Sequence, residues 1–152
     1  MKASTIIKVY IDTNVLVNYA TGQEEDVAAL NFIFKKRRKE ALFTSSLALV
    51  QTVTQLQKDN RAKGRKAFDR TKTDAILTAY RKRITVLDLT EADIDAGMKE
   101  MGKDLEDCIH YAICRKAGCA AILTNNLSDF ALFTKIRKLD PRNFGTIKQR
   151  IK

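Results

Sequence analysis

Apolar and polar positions along this chain change period repeatedly, and each change marks an element. "TIIKVYI", roughly residues 5–11, reads as a strand. Asp12, Thr13 and Asn14 then interrupt it, and Val15, Leu16 and Val17 resume as a helix over about 14–20, with Leu16 and Tyr19–Ala20 facing inward. After "TGQEED", a loop with an acidic helix start, "VAALNFIFKKRRK" places Val27, Leu30, Ile33 and Phe34 at helical spacing. Its basic run complements the helix C-terminus, and Phe32 and Phe34 are expected in the core.

"ALFTSS" is a short strand whose serines suit the cap of a following helix, "LALVQTVTQLQKDN". A polar, basic helical segment is expected over roughly 62–82. "ITVLDLT" is a third strand, "EADIDAGMKEMG" a helix with an acid-rich first turn, and "DLEDCIHYAICRKAG" a helix stopped by Gly118. On that last helix Leu105, Cys108, Ile109, Ala112 and Ile113 form the expected apolar stripe. "CAAILT" has no polar face, so it should be buried on both sides. A short strand at "KLD" and a final turn from "PRNF" close the chain. Strands alternating with helices predict an α/β fold, with a parallel sheet covered on both faces. Functional groups in such sheets collect beyond the strands' carboxyl ends, where strand order reverses. Asp12 follows the first strand, and Asn125, Asn126 and Asp129 follow "CAAILT".

With 152 residues the chain is sized for one domain spanning 1–152. Lys or Arg interrupts every apolar run, which excludes a membrane-spanning helix, and "MKASTIIK" lacks a signal-peptide layout. Cytoplasm is the expected compartment. Cys108, Cys114 and Cys119 form no C-x-x-C pair and read as small core fillers. The net charge of +10 changes the picture most. It gathers in "KKRRK" (35–39), "RAKGRKAFDRTK" (61–72), "RKR" (81–83), "KIRK" (135–138) and "KQRIK" (148–152). A solvated Lys-rich surface explains part of this, and nucleic acid is the favoured polyanionic partner.

Within this basic chain several acids are expected to converge. Asp104 is placed to cap the "LEDCIHYAI" helix, and Asp107 lies in its first turn, near the strand ends. Crowded carboxylates repel unless a cation sits among them, and a hard divalent ion such as Mg²⁺ suits one or two carboxylates completed by water and phosphate oxygens. That pattern is a metal-dependent nuclease's. His110, the only histidine, is expected on a partly exposed surface; Tyr111 is a candidate either for site lining or for packing. There is no P-loop motif, Ser/His/Asp set or histidine cluster for zinc.

"IDTNVLVNY" (11–19) and "KDLEDCIHYAICRKAGCAAILTNNLSDF" (103–130) resemble the PIN domain family, whose small members include VapC-type toxins of toxin–antitoxin pairs. The resemblance covers nearly the whole chain. It implies a three-layer α/β/α sandwich and a pocket that binds Mg²⁺ or Mn²⁺ and cleaves RNA with an activated water. It also implies an antitoxin partner, and homodimers are common in that family. Asp12 and Asp107 match metal-ligand acids; Asn126 falls where many members have another acid, with Asp129 as its substitute or partner. Thr13, Asn14 and Thr124 match polar lining positions, and Asp104 an acid of one subgroup. Gln51 stands where the family's second acid, a Glu, is expected. Arg61, Lys63, Arg65 and Lys66 are the expected backbone contacts for RNA. Two further readings stay open: a catalytically degenerate PIN-like domain that binds RNA or a protein, and a structure-specific DNA nuclease.

Overall fold

The computed structural model describes residues 7–62 and 68–151. The pattern-derived order of elements is the observed one: β1 (Val9–Ile11), α1 (Thr13–Thr21), α2 (Glu24–Lys36), β2 (Leu42–Ser45), α3 (Ser46–Ala62), α4 (Arg70–Arg83), β3 (Thr85–Leu87), α5 (Glu91–Met98), α6 (Leu105–Lys116), β4 (Ala121–Leu123), β5 (Arg137–Leu139) and α7 (Phe144–Arg150), with a 3₁₀ turn at Lys39–Ala41 before β2. The helix expected over 62–82 is described as the end of α3 and as α4, and residues 63–67 lie outside the described residues.

The five strands form one parallel sheet in the order β3-β2-β1-β4-β5. Alternation along the strands sends side chains into two cores, because successive residues of a strand face opposite sides. Val9, Ile11, Leu42, Ala121 and Leu123 join the core that also holds Leu16, Leu30, Ile33 and Tyr80. Tyr10, Phe43 and Ile122 face the other way, into the core with Cys108, Ile113, Phe130 and Phe133. Both faces of β4 are therefore covered, as its unbroken apolar run requires. Each fully buried Leu or Ile contributes about 1.5–3 kcal/mol of transfer free energy. Cys108 and Cys114 are buried thiols, as expected of core fillers. Phe32 and Phe34 are partly buried against the first core.

Strand order reverses at β1, where the chain goes outward to β2 and β3 and later returns to the other side as β4 and β5. This switch lies between β1 and β4, paired Ile11↔Leu123. The next residue of each strand, Asp12 and Thr124, is polar and buried.

Candidate active site

Asp12 ends β1 and caps α1. Its extended backbone (φ −76°, ψ 156°) leaves the strand while Oδ1 accepts the Thr13 N–H at 2.8 Å. Oδ2 accepts from Asn14 Nδ2 at 2.9 Å and from Thr124 Oγ1 at 2.8 Å. Three donors therefore fix the carboxylate, which offers roughly four lone-pair sites, so one remains for a ligand. Asn14 reaches across to the second loop, where its Oδ1 accepts the Asn125 N–H at 3.0 Å. Asn125 Nδ2 in turn donates to Asp26 Oδ1 at 2.7 Å. Asp26 is buried, and burial raises its carboxyl above the usual range. Thr124 Oγ1 also accepts the Asn126 N–H at 3.0 Å. The "DTN" and "TNN" segments thus lock one another across the switch point.

Asp107 comes from α6. Asp104 caps this helix, its Oδ1 accepting the Asp107 N–H at 3.1 Å. No hydrogen bond from a described residue reaches the Asp107 carboxylate. Burial pushes its carboxyl up to about 7, with further contributions from the charges of Asp12, Asp104, Asp129 and Glu106. A cleft of about 620 Å³ opens above the switch point, and Asp12, Asn14, Gln51, Glu106, Asp107 and Asn126 line it together with Lys58 of α3.

Gln51 enters this cleft from α3. Its Nε2 donates to Glu106 Oε2 at 2.7 Å, while its Oε1 receives Thr13 Oγ1 at 2.8 Å and lies 2.8 Å from His110 Nε2. The carboxylate partner fixes which end of the amide is nitrogen, so His110 Nε2 carries the proton. Nδ1 is left to accept from the Tyr10 hydroxyl, 2.7 Å away, and that hydroxyl also lies 2.8 Å from Ser45 Oγ. Burial lowers the His110 pKa, consistent with a neutral ring.

Two expectations are corrected, and one left open is decided. His110 is 1% exposed rather than a surface histidine. α6 packs against α5 on one side and borders the sheet on the other, so its buried arc runs through Cys108, Ile109, His110, Tyr111, Ile113 and Cys114. Leu105, placed in the apolar stripe, is half exposed, because it lies at the first turn of α6, beyond the packed part of the helix. Tyr111 packs and does not line the cleft; its ring stacks on Phe133 with centroids 4.0 Å apart.

Of the three aspartates expected at the site, Asp12 and Asp107 line the cleft. Asp129 is exposed and outside the cleft lining, although its charge acts on Asp107. Among the described residues no three His, Cys, Asp or Glu side chains are arranged to hold a metal ion. The donor set instead suits a hard cation that takes one or two carboxylates and keeps water or phosphate oxygens in its shell. The crowding around Asp107 is the feature a cation would relieve. Arg61 is exposed in the last turn of α3, while Lys63, Arg65 and Lys66 lie outside the described residues. Glu106 and Asp26 were not singled out by the sequence; the proximity of Glu106 to Asp107 in "LEDC" was the available signal for the first.

A parallel α/β sandwich with an acidic cleft at the β1/β4 switch belongs to the open-sheet class whose ligands bind beyond the carboxyl ends of the strands. Within that class the family is shown: the PIN domain model matches residues 9–135, and the chain belongs to the PIN domain family, whose members are generally ribonucleases. The fold is similar to that of a toxin–antitoxin complex from Klebsiella pneumoniae, with a TM-score of 0.65 and 16% identity over 88% of this chain and 98% of that one. It is also similar to VapBC2 from Rickettsia felis bound to a DNA fragment from its promoter (0.63, 13%, 88% and 98%). VapC20 of Mycobacterium tuberculosis, a sarcin–ricin loop cleaving toxin, is a third (0.57, 16%, 80% and 93%). A search of curated protein sequences finds no match. Among the described residues no helix is long and apolar enough to cross a membrane.

Proposed function

We propose that this protein is a divalent-metal-dependent endoribonuclease that works as the toxin of a toxin–antitoxin pair in the cytoplasm. The observation that carries the reading is the meeting of Asp12 and Asp107 in one cleft, with the Asp107 carboxyl pushed up to about 7 by burial and by neighbouring carboxylates. Asp12, steadied by Thr13, Asn14 and Thr124, and Asp107, whose carboxylate takes no hydrogen bond from a described residue, are the residues that would hold Mg²⁺ or Mn²⁺. Such an ion supplies a lowered water pKa and neutralises charge at a phosphoryl centre.

Glu106 supplies the carboxylate that position 51 lacks, and Gln51 positions it from α3. Asn126, exposed at the cleft wall, is placed to orient a water or a phosphate oxygen, and Lys58 to meet the RNA backbone. Asp129 adds negative charge from outside the lining. The Klebsiella and Rickettsia neighbours are antitoxin-bound complexes, which supports an antitoxin partner here.

A second reading has its own observation. Gln51 is satisfied by Thr13, His110 and Glu106 without any cation, as suits a domain that binds RNA or a protein and does not cut. Digestion of a broad RNA panel separates the two. The nuclease reading expects cleavage that appears with Mn²⁺ and stops with EDTA; RNA binding indifferent to EDTA, with no cleavage at any Mn²⁺ concentration, supports the second.

A further inference from the structure

Two basic clusters far apart in the sequence, 35–39 and 81–83, meet in the fold. The first runs from the C-terminus of α2 into the 3₁₀ turn, and the second ends α4. Thr85 of the edge strand β3 ties them, its Oγ1 donating to the Lys39 carbonyl at 2.9 Å. The Arg83 guanidinium lies 5.3 Å from the centroid of the Phe34 ring. Between the clusters is a cleft of about 470 Å³ lined by Lys39, Thr78, Arg81, Lys82 and Thr85, with Ile84 and Val86 and no acidic residue.

Helix C-termini attract cations, but each carries only about half a negative charge. Two such ends offset roughly one of the many cations assembled here, and neither cluster contains an acid, Glu40 following directly after the first. Lys39, Arg81 and Lys82 are exposed and take part in no ion pair with a described residue. Like charges are held together at a cost in stability that a bound polyanion would remove. Pairing Tyr10↔Phe43 and Phe43↔Thr85 puts Thr85 level with Tyr10, two strands over. With strands about 4.8 Å apart and about 3.3 Å per residue, the Thr85 backbone is roughly 12 Å from that of Asp12. The basic cleft lies at the amino ends of β2 and β3 and the acidic site beyond the carboxyl end of β1, so the two are separate regions of one surface.

We propose that the Lys39–Arg81–Lys82 cleft binds the phosphate backbone of single-stranded RNA as a second contact region, separate from the acidic cleft. The inference rests on the nuclease reading for its choice of polyanion.

The test is binding of a fluorescent RNA of about 20 nucleotides, followed by anisotropy over a salt series in EDTA, where the wild-type chain does not cut. Each lost phosphate contact lowers the salt slope by about 0.7. Lys39→Gln/Arg81→Gln/Lys82→Gln is expected to lower the slope by about 2 and to weaken binding about a hundredfold at 0.1 M salt. Arg81→Gln alone should weaken it about fivefold, which keeps the test independent of the triple variant's folding. The control, Lys135→Gln/Arg137→Gln/Arg150→Gln, lies outside the cleft lining and has the same net charge. Equal losses in both triples overturn the proposal, as does binding of the wild type to anionic vesicles but not to RNA. If the cleft triple loses RNA binding while the wild type never cuts with Mn²⁺, the nuclease reading fails and the cleft assignment stands.

Discussion

Gln51 Nε2 donates to Glu106 Oε2 at 2.7 Å, joining α3 to α6 across 55 positions of sequence at the edge of the acidic cleft. This pair explains how a chain with an amide at position 51 keeps a carboxylate at that wall. A glutamate at 51 would face Glu106 with like charge, whereas the amide presents a donor to it and an acceptor to Thr13 and His110.

The pair predicts a charge swap. Glu106→Gln should weaken Mn²⁺ binding about tenfold, the lower end for loss of a group that supports a metal site. Gln51→Glu/Glu106→Gln returns the carboxylate to the other side of the same hydrogen bond and preserves the acceptors that face Thr13 and His110. Its Mn²⁺ affinity should come back to within about threefold of wild type. Calorimetric titration measures this without any turnover, and a swap as weak as the single variant would show that Glu106 does not act through this pair.

Asp107 sets a pH dependence for metal binding. With its carboxyl near 7 in the metal-free protein, a proton must leave before a cation can bind. Mn²⁺ affinity should therefore rise about tenfold per pH unit below 7 and level off above it. The sign for stability is the reverse. The folded state holds a proton that the unfolded state, near the ordinary 3.8, has released, so metal-free stability falls as pH rises from about 4 to 7. Asp107→Asn should flatten both profiles, read by titration and by thermal melts across pH.

His110 acts in the opposite direction. Burial keeps the ring neutral in the fold, while the unfolded chain takes up a proton below 6.5. Its contribution is present above that pH and is lost as pH falls through it. His110→Phe removes this acid sensitivity and leaves the Tyr10 hydroxyl and Gln51 Oε1 one partner short, at a cost of about 1–3 kcal/mol. Urea denaturation at pH 7.5 and 5.5 measures both effects, and a variant as stable as wild type at pH 7.5 would rule out the buried network.

α5 and α6 meet at Gly97, where an added Cβ would lie 2.7 Å from Ile109 Cγ1 and 3.0 Å from both its Cα and its N. Backbone at that distance cannot swing aside. Gly97→Ala gains at most about 1 kcal/mol of helix propensity and loses about 1–3 kcal/mol to overpacking. A net fall in stability is expected in denaturant titration, together with weaker Mn²⁺ binding, because α6 positions Asp107.

The frame of the fold was legible because each strand and helix carries its own period, and Asp12 was legible because a carboxylate interrupts an apolar run at a strand end. Asp104 announced itself as a cap, and the structure has it capping α6. What stayed hidden depends on two-sided packing. A helix covered on both flanks has no single polar face, so His110 could not be told from a surface residue. Asp26 looked like any acid in a first helical turn until the fold laid Asn125 upon it. Asp129 is three residues from Asn126 in the chain; Asn126 lines the cleft, whereas Asp129 is exposed outside that lining and reaches Asp107 through its charge. The gathering of 35–39 with 81–83 depends on the β2–β3 pairing, which no local pattern encodes.

The most direct test compares single-turnover RNA cleavage in Mn²⁺ by the wild type, Asp12→Asn and Asp107→Asn, each at saturating protein. Withdrawal of either carboxylate should slow cleavage by about three orders of magnitude, the scale of several kcal/mol of transition-state charge stabilisation, while RNA binding in EDTA stays unchanged. Cleavage by both variants at the wild-type rate would contradict the account.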